Sequence, residues 1–230
     1  MSALFIGDKQ ATAEMQLKLG NNRPIQYQRA EEEIFDFSPY DVIIDTRFES
    51  LTEPFSYWEI SNNYSHLENK LVLLGMVRGQ LSALHWYWTS PPACHFVAFN
   101  SLPTFINRPL WEMSVLREET KDVLSQRLKT LGIEYRLVDD RVGMVMPRII
   151  CMIINEAFYT LQEGTATEAD IDLSMKLGVN YPYGPFEWLE KIGIEHVYRL
   201  LQDLYNDTHD ERYKICPLLK SRYYMAKKHD

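Results

Sequence analysis

Near Arg141 the hydrophobic pattern of the chain changes period, and that change divides the molecule. Upstream, short apolar runs bounded by glycine, proline or asparagine alternate with stretches that suit helices. Downstream, apolar residues recur only at helical spacing, as in Ile149, Ile150, Ile153, Ala157, Phe158 and Leu161. Alternating β and α segments followed by helices alone predict an α/β domain over residues 1–140 and an all-α domain over 141–230.

Within the first part, the run at residues 3–6 stops at Gly7 and is followed by ATAEMQLKLG, which reads as strand, turn, helix. After the turn at Asn21 and Asn22, further strands are expected at 24–28, 40–45, 70–75, 95–99 and 135–138, with the helix TKDVLSQRLKTLG before the last. The Val and Ile content of 40–45 fits a parallel strand buried on both faces. A doubly wound, Rossmann-like sheet accounts for this order most simply. In the second part Gly164 ends one helix, Thr167 with Asp170 three positions on opens the next, and the Pro-rich corner YPYGP at 181–185 separates it from two shorter helices. Pro182 and Pro185 fix φ there, so the corner is rigid.

Composition excludes several roles. Against 32 acidic residues the chain has 24 Lys and Arg, a net charge of −8, which does not suit a nucleic-acid partner. Cys94, Cys151 and Cys216 are widely spaced, so neither a disulfide framework nor a metal site is expected, and a reduced cytoplasmic setting fits best. No apolar run approaches the roughly 20 residues of a bilayer span, so no membrane partner is expected.

The segment from Asn155 to Tyr205 carries Asn155-Glu156-Ala157, EGTATEADID, Met175-Lys176-Leu177-Gly178 and Tyr181-Pro182-Tyr183-Gly184-Pro185-Phe186-Glu187. It resembles the helical C-terminal domain of 3-hydroxyacyl-CoA dehydrogenases. The front half follows the same family more weakly and in order. Residues 4–7 resemble its first Rossmann strand and turn, YDVIIDTRFE at 40–49 its strand ending in glutamate, and Phe99-Asn100 part of its His-Phe-Phe-Asn-Pro motif. Trp111-Glu112-Met113 resembles its Val-Glu-Val, and residues 138–148 its interdomain junction. The resemblance implies a Rossmann-like N-terminal domain, a helical domain that forms a homodimer and helps enclose an acyl-CoA, and NAD-linked oxidation of (S)-3-hydroxyacyl-CoA to 3-oxoacyl-CoA in fatty-acid metabolism.

Residue by residue, the family's glycine-rich turn corresponds to Gly7-Asp8-Lys9-Gln10-Ala11-Thr12, where only the first glycine remains. Gly7 and Lys9, with Glu49 at the strand end, are the cofactor-binding candidates for NAD, although no acid stands among Gln26-Tyr27-Gln28-Arg29 to hold the adenosine ribose. Glu112 matches the glutamate that orients the family's catalytic histidine. With Phe99-Asn100 held in register, the histidine position is Val97, and the nearest imidazole is His95, two residues away on the same strand face. His95 and Glu112 are therefore the candidate catalytic pair, with Asn100 as a substrate contact, while an interior histidine is the competing reading of His95. Two functional readings follow: an NAD-dependent oxidoreductase, or a catalytically silent dimeric subunit that handles acyl-CoA without NAD.

Overall fold

The apolar runs of the first part assemble into one sheet whose central strands are covered on both faces, while the strands at its two edges stay partly exposed. Among the described residues, 1–20, 24–32, 36–51, 58–59, 61–88 and 90–227 of this computed structural model, its strands are β1 (Ala3–Gly7), β2 (Ile25–Arg29), β3 (Val42–Asp45), β4 (Leu71–Gly75), β5 (His95–Phe99), β6 (Leu110–Val115) and β7 (Glu134–Leu137). Their order is β2-β1-β3-β4-β5-β6-β7, parallel from β2 to β5, with β6 antiparallel to β5 and β7 parallel to β6. The turn expected at Asn21 and Asn22 lies outside the described residues.

Helices α1 (Lys9–Leu19) and α3 (Glu118–Leu131) share a core with one sheet face: Ala11 and Met15 of α1 and Leu124, Leu128 and Leu131 of α3 join Phe5, Ile44, Leu73, Val97 and Phe99. The alternate residues Leu4, Ile6, Ile43, Val72, Leu74 and Phe96 are buried on the other face. There the short helix α2 (Leu81–His85) packs through Leu81 and Leu84. Gly132, at φ 66°, ends α3 in the left-handed conformation that closes its last carbonyls.

β6 was not expected from sequence. Its exposed, buried and half-buried residues do not alternate cleanly, so LWEMSV reads as a motif before it reads as a strand. Its antiparallel direction also departs from the wholly parallel sheet that βα alternation implies.

Met1–Met144 and Val145–Asp230 are separate compact units. The second is built from α4 (Met146–Gln162), α5 (Glu168–Val179), α6 (Pro185–Ile192), α7 (Ile194–Thr208) and α8 (Pro217–Ala226). The long apolar face of α4 packs on α6 and α7, with Phe158 edge-on to Phe186 at 5.2 Å. The Pro-rich corner is fixed by polar groups. Asp172 accepts from the backbone N–H groups of Phe186 and Glu187 at 2.8 and 3.2 Å, and Glu187 accepts from Gly184 N–H at 2.9 Å. A Cβ at Gly184 would overlap the Asp172 carboxylate, which is why a glycine stands there. Asn155 accepts from Cys216 N–H at 2.9 Å and donates to the Lys214 carbonyl at 2.9 Å, tying α4 to the start of α8.

Candidate functional site

In a doubly wound sheet, ligands bind beyond the carboxyl ends of the strands where the order reverses, here between β1 and β3. Gly7 ends β1, and a Cβ there would press on Phe5, Thr46 and Ala11, so the glycine lets α1 approach the end of β3. Asp8 caps α1: its Oδ1 accepts from Ala11 N–H at 2.7 Å. The helix N-terminus, whose free N–H groups and positive end would attract a pyrophosphate, thus already has a carboxylate on it. Lys9 is exposed and supplies a side chain where the dinucleotide turn needs a glycine. Arg29, opposite Gly7 in the β1–β2 ladder, is exposed where the ribose-binding acid would stand. These residues do not fit NAD.

The next part of the edge is filled by the chain itself. After β3, a single 3-10 turn (Arg47–Ser50) brings Glu49 inward to only 6% exposure, where Oε2 accepts from Val77 N–H at 3.2 Å and from Ser101 Oγ at 3.1 Å. Glu49 is therefore an interior acid that ties the ends of β3, β4 and β5 together, which corrects its reading as a cofactor contact. A Cβ on Gly75 would overlap Ser101, so that hydroxyl occupies the space directly over the end of β4. Beside it, fully buried Asp45 accepts from Arg47 through both oxygens and from Tyr64 Oη at 2.6 Å. Desolvation acts against the Arg47 charge, but Asp45 and Tyr64 outweigh it and raise the guanidinium pKa. Burial, followed by the Asp45 charge, pushes the Tyr64 hydroxyl well above its ordinary value.

The proposed histidine–glutamate pair is not assembled. Register between β5 and β6 runs Val97↔Val115, Ala98↔Ser114, Phe99↔Met113, and Asn100 N–H donates to the Glu112 carbonyl at 3.1 Å. The residue across from Glu112 is thus Asn100. Asn100 is buried and uses Oδ1 to accept from Leu102 N–H at 3.3 Å, closing the turn that follows. His95 opens β5 beside Leu71, about 16 Å from Asn100 at the usual rise of an extended strand. Its Nδ1 lies 3.2 Å from Thr120 Oγ1, and burial followed by the Arg117 charge lowers its pKa. A histidine held by a glutamate would show the opposite shift. The sequence placed His95 on the correct face and at the wrong end of the strand, because face alternates with period two while distance along the strand accumulates. Val97 is fully buried among the core residues under α3.

Sequence reading missed Asp8, Thr46, Ser101 and the Asp45–Arg47–Tyr64 cluster. An aspartate directly before KQATAEMQ is an N-cap signal, so Asp8 was the one that local chemistry could have revealed. Among the described residues no group of three His, Cys, Asp or Glu is placed to hold a metal ion.

Residues 143–229 match the family model for the 3-hydroxyacyl-CoA dehydrogenase C-terminal domain. The 3-hydroxyadipyl-CoA dehydrogenase of Escherichia coli K12 is 48% identical over 85 residues, 37% of this chain and 18% of that protein. The 3-hydroxybutyryl-CoA dehydrogenase of Bradyrhizobium diazoefficiens is 34% identical over 102 residues, 44% of this chain and 35% of the relative. The chain therefore spans well under half the length of these relatives. Across 98% of its length it superposes on the (S)-3-hydroxybutyryl-CoA dehydrogenase of Ralstonia eutropha with a TM-score of 0.75, covering 94% of that structure at 19% identity, a likeness of fold.

Proposed function

We propose, from the premise that the chain belongs to the 3-hydroxyacyl-CoA dehydrogenase family through residues 143–229, that it serves the family reaction as a dimeric acyl-CoA-handling component. That reaction is the NAD-linked oxidation of (S)-3-hydroxyacyl-CoA to 3-oxoacyl-CoA. On this reading the chain's own Rossmann unit does not carry the hydride step. The observation that carries the reading is the cap on α1: Asp8 takes the place where a pyrophosphate would be held. The placement of Asn100 opposite Glu112, with His95 at the far end of β5, supports it, since an amide cannot accept the hydroxyl proton. The substrate class rests on the named activities of the relatives that match the helical unit.

The homodimer reading is supported by apolar side chains that the helical unit leaves in solvent. Leu173 and Leu177, one turn apart on α5, are 52% and 79% exposed, and Ile149 on α4 is 48% exposed. A cytoplasmic location is supported by Cys94, Cys151 and Cys216, all free and buried. No helix among the described residues is long and apolar enough to cross a membrane.

Titration of NADH by energy transfer from the protein's tryptophans tests the reading directly. No saturable signal at millimolar NADH is expected, together with no NADH oxidation by acetoacetyl-CoA. Saturable binding with turnover would replace this reading with a self-contained dehydrogenase, and turnover abolished by His95→Ala would restore the histidine that the geometry sets aside. Sedimentation at micromolar concentration is expected to give a species of twice 27.1 kDa, and a species of 27.1 kDa would remove the dimer.

A further inference from the structure

The sheet ends at β7, which among the described residues pairs with β6 alone. Val138 N–H donates to the Met113 carbonyl at 2.8 Å, so the backbone groups of Glu134, Arg136 and Val138 are the ones turned toward β6. Those of Tyr135 and Leu137 point away from the sheet. With no strand beside it, the Tyr135 carbonyl accepts instead from the neighbouring Arg136 guanidinium at 3.2 Å. An edge of this kind is a template for a further strand. Beside it, Ser125 and Lys129 of α3 and Tyr135 and Leu137 of β7 help line a hollow of about 460 Å³. Tyr135 packs on the core under α3, and Leu137, two residues on, shares that face and is 39% exposed.

Charged side chains commonly keep strands off an edge, and they do so when an arriving copy meets its own sign. In β7, an acid and a base stand two residues apart on one face: Glu134 and Arg136, both exposed. Consider an antiparallel copy related by a two-fold axis at Tyr135. Each Glu134 then lies opposite Arg136 of the second copy, at the positions of an antiparallel ladder where side chains approach most closely. The outward N–H and C=O of the two Tyr135 residues exchange hydrogen bonds on the axis itself. An axis at Arg136 would oppose two guanidinium groups, and one at Glu134 two carboxylates. Backbone direction and charge thus select the same register. The other edge of the sheet, β2, reads IQYQR, and its one charge, Arg29, has no acid to meet.

We propose that β7 pairs antiparallel with β7 of a second copy of this chain, continuing the sheet across a two-fold axis at Tyr135. Two Glu134–Arg136 pairs form on one face. On the other, Tyr135 and Leu137 of the second copy lie at the mouth of the hollow beside α3 and cover the exposed Leu137. Pairing replaces the Arg136 contact to the Tyr135 carbonyl with a strand N–H and frees the guanidinium for the carboxylate. A strand of four residues contributes far less than the roughly 1,200 Å² of a stable interface, so the contact builds up with concentration and does not hold a dimer at micromolar protein. It is separate from the helical-unit dimer. With both contacts, one chain carries two different two-fold surfaces, and dimers join into longer assemblies.

Cysteine trapping in the full chain tests the pairing, because Cys94, Cys151 and Cys216 are buried and do not compete. On the proposed axis the two residues at 135 have Cα atoms about 5.5 Å apart, within disulfide reach, whereas those at 137 are displaced by roughly 14 Å along the strands. Under mild oxidation at about 100 μM protein, Tyr135→Cys is expected to form a covalent dimer at least about tenfold faster than Leu137→Cys. Adding Arg136→Glu to Tyr135→Cys sets like charges opposite and should slow linking about fivefold, and adding Glu134→Arg as well exchanges the charges and should restore the rate. Sedimentation at about 500 μM reads the same order without an introduced cysteine: the parent and the Glu134→Arg, Arg136→Glu variant should run larger than Arg136→Glu alone. Linking no faster at 135 than at 137, indifference to Arg136→Glu, or failure of the exchanged charges to restore association would each overturn the proposal.

Discussion

The helical unit and the carboxyl edge of the sheet both carry motif-like polar residues, and they differ in what comparison with known proteins finds in each. In the helical unit, Asp172, Glu187 and Asn155 all bind the chain's own backbone, and this is the region that matches the family model. At the sheet edge the chemistry of the family would require polar groups turned toward a ligand. There too they bond to the chain itself: Asp8 caps α1, Glu49 holds Val77 and Ser101, and Asn100 closes a turn onto Leu102. A polar group satisfied by its own chain is one that a ligand must displace. Sheet-edge residues therefore contribute stability, as helical-unit residues do. Ligand-binding residues commonly behave otherwise, and their removal leaves stability unchanged or raises it.

The largest test of that statement is Arg47→Met. Asp45 is fully buried and depends on the two-pronged Arg47 contact, so removing the cation leaves a carboxylate inside the unit with the Tyr64 hydroxyl as its remaining side-chain donor. Breaking a buried pair from one side is expected to cost about 4 kcal/mol, read from the midpoint of urea unfolding. Unchanged or increased stability would mean that this cluster is held in readiness for a ligand, and the two regions would no longer be alike.

Asp172→Ala makes the same measurement in the helical unit. It removes two charge-assisted bonds to the first turn of α6, and about 3 kcal/mol of stability should go with them. Gly184→Ala should approach that loss although its φ of −73° suits alanine, because the added Cβ overlaps the carboxylate. If Gly184→Ala is silent while Asp172→Ala is not, the corner is looser than its contacts imply.

These two tests also mark what could be read from sequence. The YPYGPFE corner was legible because proline and glycine act locally: two fixed φ angles and one missing Cβ announce a rigid turn. The buried strands β1, β3 and β4 were legible as unbroken apolar runs. What stayed hidden depends on register. Whether Glu112 meets residue 95, 97 or 100 is set by how many residues separate β5 from β6, and β6 itself lacks a clean alternation. Burial of Glu49 was equally illegible, since it follows from one 3-10 turn that brings the side chain inward.

Asp8→Ala separates capping from anion exclusion. Losing the N-cap should lower stability by about 1 kcal/mol, and the glycine variant should lose less. In the double variant Asp8→Gly, Lys9→Gly the N-terminus of α1 is freed of both the carboxylate and the side chain. If these two residues are what keep a dinucleotide out, NADH binding should appear in this variant and be absent from the parent. Continued absence would place the larger obstacle at Ser101 and Glu49, over the neighbouring strand ends.

The smallest effect concerns pH and falls in the helical unit. The Lys176 hydrogen bond, followed by the Gly184 N–H, holds the Glu187 carboxyl below the usual carboxylate range. Because the folded-state pKa is lowered, the unfolded chain takes up this proton first as acid is added. The contribution of Glu187 is therefore fully present above the ordinary carboxylate pKa and is lost as pH falls through the folded-state value. Glu187→Gln keeps an acceptor for Gly184 and removes the charge, so the stability difference between parent and variant should shrink as pH is lowered from about 6 to about 3. A difference that stays constant over that range would show that the corner is held by hydrogen-bond geometry alone. The helical unit would then owe its match to shape, with the Lys176–Glu187 ion pair contributing nothing measurable.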